Sequence, residues 1–133
     1  MWALAAAFPG FAVDFPYQTV LAGALIGGGL MLDLVSILSF RSAQTTVSPL
    51  APERTSRLVT TGLYRYTRNP MYLGLLVILI GAGLLSGSLL AVAVLPGFVA
   101  YLTIFQIRPE ERRLSALFGN EYERYRQEVR RWL

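Results

Sequence analysis

Residues 71–107 read MYLGLLVILIGAGLLSGSLLAVAVLPGFVAYLTIFQI, a stretch without one charged side chain. As a single helix it would be about 55 Å long, close to twice the ~30 Å of a bilayer's hydrocarbon core. Two crossings joined by a turn fit better, and Ser86-Gly87-Ser88 is where small, turn-forming residues interrupt the run. The sequence therefore predicts a transmembrane hairpin over 71–107. Upstream, residues 18–40 (QTVLAGALIGGGLMLDLVSILSF) are long and apolar enough for one more transmembrane helix. Residues 1–17 open with a short apolar segment broken at Pro9-Gly10, which suits a short helix at the interface or partly inserted in the membrane. They lack the positively charged start of a signal peptide.

The composition agrees with a membrane chain. Of 133 residues, 54% are hydrophobic and 15% charged, against about 25% charged in an ordinary soluble domain. All twelve basic residues are arginines, and they fall in two blocks, residues 41–70 and 108–133. With three crossings both blocks lie on one side of the membrane. Positive charge collects on the cytoplasmic side, so the N-terminus is expected outside and the C-terminus in the cytoplasm of a multi-pass membrane protein. That placement explains the net charge of +4 more simply than nucleic-acid binding, and no nucleic-acid partner is expected.

Between the apolar segments, residues 41–70 form a polar loop punctuated by Pro49 and Pro52, long enough to be functional. After Pro109, the apolar positions Leu114, Phe118, Tyr122, Tyr125, Val129 and Trp132 recur at helical spacing. This predicts an amphipathic cytoplasmic helix over 108–133, folded back over the loop at the membrane surface.

Cysteine and histidine are both absent, which excludes disulfides, thiolate nucleophiles, triads and the usual zinc sites. No metal is expected. Catalysis would have to come from carboxylates, tyrosines, arginines, backbone groups and a borrowed cofactor. The glycine-rich stretches GALIGGG (23–29) and GAGLLSG (81–87) lie within or at the turn of apolar spans, not between a strand and a helix. They read as close helix packing, Gly23 with Gly27 for example, and not as a nucleotide-binding loop. The same glycines permit a homodimer.

Three clusters are candidates for chemistry. Asp33 is an acid well inside the first span, where it marks either a polar site or a structural bond to a loop arginine. Glu110 and Glu111 follow Pro109 at the mouth of the hairpin, where acids either start a helix or bind a cationic or hydroxyl-rich ligand. The segment GLYRYTRNPMYLG (62–74) runs into a helix start near Pro70. Its arginines and tyrosines form either an interfacial belt or a site holding a cation by ring faces and a carboxylate by backbone amides.

The order of LVTTGLYRYTRNPMYLG (58–74), an apolar hairpin, then RPEERRLSALFGNEYERYRQEVRRWL (108–133) resembles the isoprenylcysteine carboxyl methyltransferase family and the related phospholipid methyltransferases, in a short prokaryotic form. The resemblance covers about residues 41–133. It implies one all-α membrane methyltransferase domain that uses S-adenosylmethionine and releases S-adenosylhomocysteine. It places Ser56, Arg57, Leu58, Val59, Tyr64, Arg68, Asn69, Pro70, Met71, Tyr72 and Glu110 around the cofactor. Glu111, Arg108 and Asp33 are the candidates for catalysis. Family members usually carry histidine at the position of Asn69, and the family's substrate-carboxylate arginine aligns with Gln106, for which Arg108 is the nearby substitute. A lipidic or amphipathic acceptor is implied, with membrane lipids as surroundings. A carboxylate acceptor needs no general base, which suits this chain; an amine acceptor must lose a proton. The reading is thus O-methylation of a prenylcysteine-like carboxylate, with phospholipid N-methylation or a non-catalytic scaffold as alternatives.

Overall fold

The structure is a computed structural model that describes residues 1–42 and 57–133. The middle of the polar loop, including Ser56, lies outside the described residues. The architecture is all-α, as expected: α1 (Trp2–Ala7), α2 (Gln18–Ser42), α3 (Pro70–Leu85), α4 (Leu89–Ala93), α5 (Leu95–Leu102), α6 (Arg108–Phe118) and α7 (Asn120–Glu128). Two runs, Gln18–Ser42 and Leu89–Phe118, are long and apolar enough to cross a membrane, while Pro70–Leu85 is shorter. Val20, Leu30, Met31 and Leu34 of α2, with Leu89, Tyr101 and Phe105 of the second run, face outward. Apolar exposure on that scale suits lipid as the surrounding medium.

The most extensive interface is α2 against α3, and small residues make it. Ala22, Ile26, Gly29 and Asp33 recur at helical spacing and meet Gly81, Ile78 and Gly74 running the other way. A Cβ on Gly29 would lie 2.6 Å from the Gly74 carbonyl oxygen, and one on Gly81 would lie 2.8 Å from the Ala22 carbonyl oxygen. The two backbones touch because neither helix has a side chain there. Of the two glycine-rich stretches read as packing surfaces, Gly29 and Gly81 make this seam, whereas the example pair does not: a Cβ on Gly23 or Gly27 would meet nothing within 4 Å.

The hairpin turns at Ser86–Ser88, where Gly87 adopts φ +62°. The N-terminal segment docks on that turn, with the Val13 amide donating to the Gly87 carbonyl at 2.7 Å and the Gln18 side chain donating to the Leu84 carbonyl.

The returning arm is not one regular helix. Proline 109 has no N–H to give its turn, and the backbone widens just before it into a π turn over Thr103–Ile107, closed by the Arg108 amide on the Thr103 carbonyl. Helix α6 then follows without a break, so the apolar arm, ending at Ile107, and the polar extension form one continuous run.

The C-terminal region corrects the expectation of a single amphipathic helix over 108–133. Gly119 (φ +53°, ψ −122°) breaks it into α6 and α7, and Val129 leaves the helix in an extended conformation. The break follows from glycine's access to backbone angles closed to other residues. It lets α7 fold back, so Tyr122, Tyr125 and Val129 join Val59 and Tyr64 in a buried cluster, with Phe40, Leu58, Leu114 and Phe118 packed around it.

Candidate functional site

The loop from Thr67 to Asn69 is clasped by the chain's last residues. The Arg68 amide donates to the Arg130 carbonyl at 2.9 Å. The Arg131 carbonyl accepts from Asn69 Nδ2 at 2.9 Å and from Thr67 Oγ1 at 3.2 Å. Asn69 therefore spends its side chain on the tail and does not cap α3, which it precedes. Pro70 has no N–H, so the first-turn amides of Met71 and Tyr72 are left without a side-chain partner. A helix start in that condition attracts a carboxylate.

Glu111 holds the clasp together. Arg131 meets it with two parallel bonds at 2.9 and 2.8 Å, and Arg68 Nη1 lies 3.0 Å from its Oε1. The side chains of Arg68 and Glu111 are only 10% and 12% exposed, so this ion pair is shielded from water. Burial opposes ionisation of Glu111, but the hydrogen bonds from Arg131 and the charges of Arg68 and Arg131 outweigh it and hold its pKa below the usual carboxylate range. Arg68 Nη1 also reaches the Tyr122 hydroxyl at 3.4 Å. Its Nε, by contrast, is buried with no partner among the described residues. A buried, unpaired donor of this kind is a place for a ligand atom.

Glu110 points elsewhere on α6. Its Oε1 accepts from the Tyr72 hydroxyl at 2.7 Å and from Gln106 Nε2 at 3.1 Å. Among the described residues Oε2 accepts no bond, so it can take a hydroxyl or ammonium donor from a ligand. Tyr64 is buried, with Tyr125 donating to its carbonyl at 2.7 Å. Burial pushes the phenol groups of Tyr64 and Tyr125 above their ordinary pKa, so both stay neutral.

The candidates thus separate into groups. Tyr72 and Glu110 touch directly, and Arg68 and Asn69 join Glu111 through the clasp. Leu58, Val59 and Tyr64 belong to the buried cluster beneath it. Arg57 is exposed. Arg108 is also exposed, and at about 100° per residue it lies on the opposite side of α6 from Glu110. Asp33 is not among the bonding partners described for Glu110 or Glu111. It packs on Gly74 in the α2–α3 seam, and its Oδ1 has no partner among the described residues. Sequence reasoning missed Arg131, Thr67 and Tyr122. In the run Arg130-Arg131-Trp132 nothing distinguishes the arginine that turns inward from its neighbour.

Comparison with known proteins places the chain in a family. A family model described as phospholipid methyltransferase matches residues 17–121. The chain is 48% identical over 63 residues to an uncharacterised protein of Haemophilus influenzae, covering 47% of this chain and all of that one. It is 29% identical over 125 residues to the protein-S-isoprenylcysteine O-methyltransferase of Schizosaccharomyces pombe, covering 92% of this chain and 52% of the relative. It is 39% identical over 76 residues to methanethiol S-methyltransferase 1 of Bradyrhizobium diazoefficiens, covering 55% of this chain and 25% of the relative. The chain therefore spans about half the length of the first named enzyme and a quarter of the second. No solved structure matches. With its family match running from the first long helix to the start of α7, the chain belongs to the phospholipid methyltransferase family.

Proposed function

We propose that this membrane protein is an S-adenosylmethionine-dependent methyltransferase acting on the carboxylate of a lipidic, prenylcysteine-like acceptor. The observation that carries the reading is Glu110: a carboxylate oriented by Tyr72 and Gln106 at the end of an apolar arm, with its second oxygen open.

The residues present fit the cofactor. Glu110 Oε2 suits its ribose hydroxyls, the uncapped first turn of α3 at Met71 and Tyr72 suits its amino-acid carboxylate, and the aromatic ring of Tyr72 suits its cationic centre. When bound, the cofactor supplies an electrophilic methyl group. The chain's own task is then to align an acceptor and exclude water. Arg68, with its buried Nε unpaired, is the cation we assign to the acceptor's carboxylate. It takes the place that sequence reading gave to Arg108, which faces away from Glu110. Glu111 acts as a positioning residue: it fixes the Arg68 guanidinium, and its lowered pKa makes it a poor proton acceptor. Asp33 has a packing role in this reading.

A second reading has its own support. Gln106 leaves Glu110 without a cationic neighbour on that side, which would favour an amine acceptor such as an ethanolamine headgroup. Transfer of labelled methyl groups from S-adenosylmethionine separates the two. We expect incorporation into farnesylcysteine analogues above that into phosphatidylethanolamine. Label in phosphatidylethanolamine alone would reassign the acceptor, and label in neither, from folded protein, would count against catalysis.

A further inference from the structure

We propose that the space between α6 and α7 is a binding site for a phosphate group, separate from the Glu110 face and independent of the methyl-transfer reading. Arg108, Glu111, Arg112, Ser115 and Arg126 line a pocket of about 340 Å³ there. At about 100° per residue, Arg108, Arg112 and Ser115 fall within about 60° of one another on α6, whereas Glu110 lies about 140–160° from each of them. The pocket is therefore on the back of the helix that presents Glu110 to Tyr72.

Its charge is unbalanced. Glu111 has both oxygens committed to Arg68 and Arg131. The remaining counter-charge is Glu123, which pairs with Arg126 at 3.4 Å with both side chains 46% exposed, and which also accepts from Ser115 Oγ at 2.8 Å. An open pair of that kind neutralises little. Three guanidinium groups thus face one concavity, an arrangement that an anion relieves. Phosphate is the anion that matches it, because its several oxygens can each accept from a planar guanidinium fork. The location points the same way. Arg108 is the first polar residue after the apolar arm ends at Ile107, which is the depth of lipid phosphates. A phosphate can arrive there as an anionic lipid headgroup or as a free phosphate.

The test uses the whole chain in nonionic detergent. Calorimetric titration compares dihexanoyl phosphatidylglycerol below its micelle concentration, inorganic phosphate, and dihexanoylglycerol as the phosphate-free control. Arg112 and Arg126 are exposed, and among the described residues neither makes a hydrogen bond or ion pair with Glu110 or Glu111, so R112Q/R126Q can be checked for an unchanged helical circular dichroism spectrum. We expect a phosphate-bearing probe to bind the unmodified chain, at least tenfold more weakly to R112Q/R126Q, and at an intermediate level to R112K/R126K, which keeps charge but loses the forks. Binding of the lipid but not of inorganic phosphate assigns the site to a headgroup, and equal competition by inorganic phosphate assigns it to a free phosphate. The proposal is overturned if neither phosphate probe binds, if dihexanoylglycerol binds as well, or if R112Q/R126Q binds as tightly as the unmodified chain.

Discussion

Replacing Glu111 by alanine should destabilise the chain by about 3–5 kcal/mol, the usual cost of leaving a shielded charge without its partner. The magnitude follows from Arg68, whose side chain is 10% exposed and whose nearest carboxylate is Glu111 at 3.0 Å. Without Glu111, the Arg68 side chain keeps, among the described residues, a long bond to the neutral Tyr122 hydroxyl. Replacing Arg131 by alanine should cost less, about 1–2 kcal/mol, because Arg131 is 32% exposed and Glu111 would retain Arg68. The double variant should be no less stable than E111A by more than about 0.5 kcal/mol, since the bond that R131A removes is already gone. Unfolding in mixed micelles of rising dodecyl sulfate fraction, followed by tryptophan fluorescence, measures all three. A loss below about 1 kcal/mol for E111A, or strictly additive losses, would refute the idea that Glu111 centres the clasp.

Further outcomes follow from the same geometry. Gly29→Ala should destabilise by about 1–3 kcal/mol, because its Cβ would meet the Gly74 carbonyl and Ile78 at 2.6 Å, whereas Gly23→Ala, with open space around it, should be neutral; the same unfolding series tests both. Gly119→Ala should cost about 1–3 kcal/mol, read in that assay, because φ +53° with ψ −122° suits glycine alone. Acid should loosen the clasp. The pKa of Glu111 in the folded chain lies below its ordinary value of 4.5, so its contribution is fully present above that value and is lost as pH falls through the lower folded one. Stability should therefore be flat in this contribution from pH 7 to about 5 and fall below about 4.5, and E111Q should remove that part of the acid dependence.

Helix content and the hairpin were legible because hydrophobic run length and turn residues are local signals. Ser86–Ser88 turns where the small residues stand, and Leu114, Phe118, Tyr122, Tyr125 and Val129 all reach the cluster that their spacing implied. What periodicity could not show was the break between them. Helical spacing continues across Gly119, so only the backbone angle distinguishes one long helix from two. The glycine-rich stretches were legible as packing surfaces, but the pair Gly23 and Gly27 was the wrong example for a related reason: α2 carries small residues all round, and which of them meet α3 depends on the partner's Gly74 and Gly81. Within the candidate site, Tyr72 and Glu110 were both singled out by motif, but their contact was not. Arg131 was invisible because its role depends on the tail folding back onto Thr67–Asn69, a pairing of residues more than sixty positions apart.

In the proposed reading Glu110, with Tyr72, holds S-adenosylmethionine or its demethylated product. Equilibrium titration of S-adenosylhomocysteine into the detergent-solubilised chain tests it most directly, with E110A as the comparison. We expect binding to the unmodified chain and at least a tenfold loss of affinity in E110A, with the helical spectrum unchanged. Folded, unmodified protein that binds no S-adenosylhomocysteine, or an E110A variant that binds it equally well, would contradict the account.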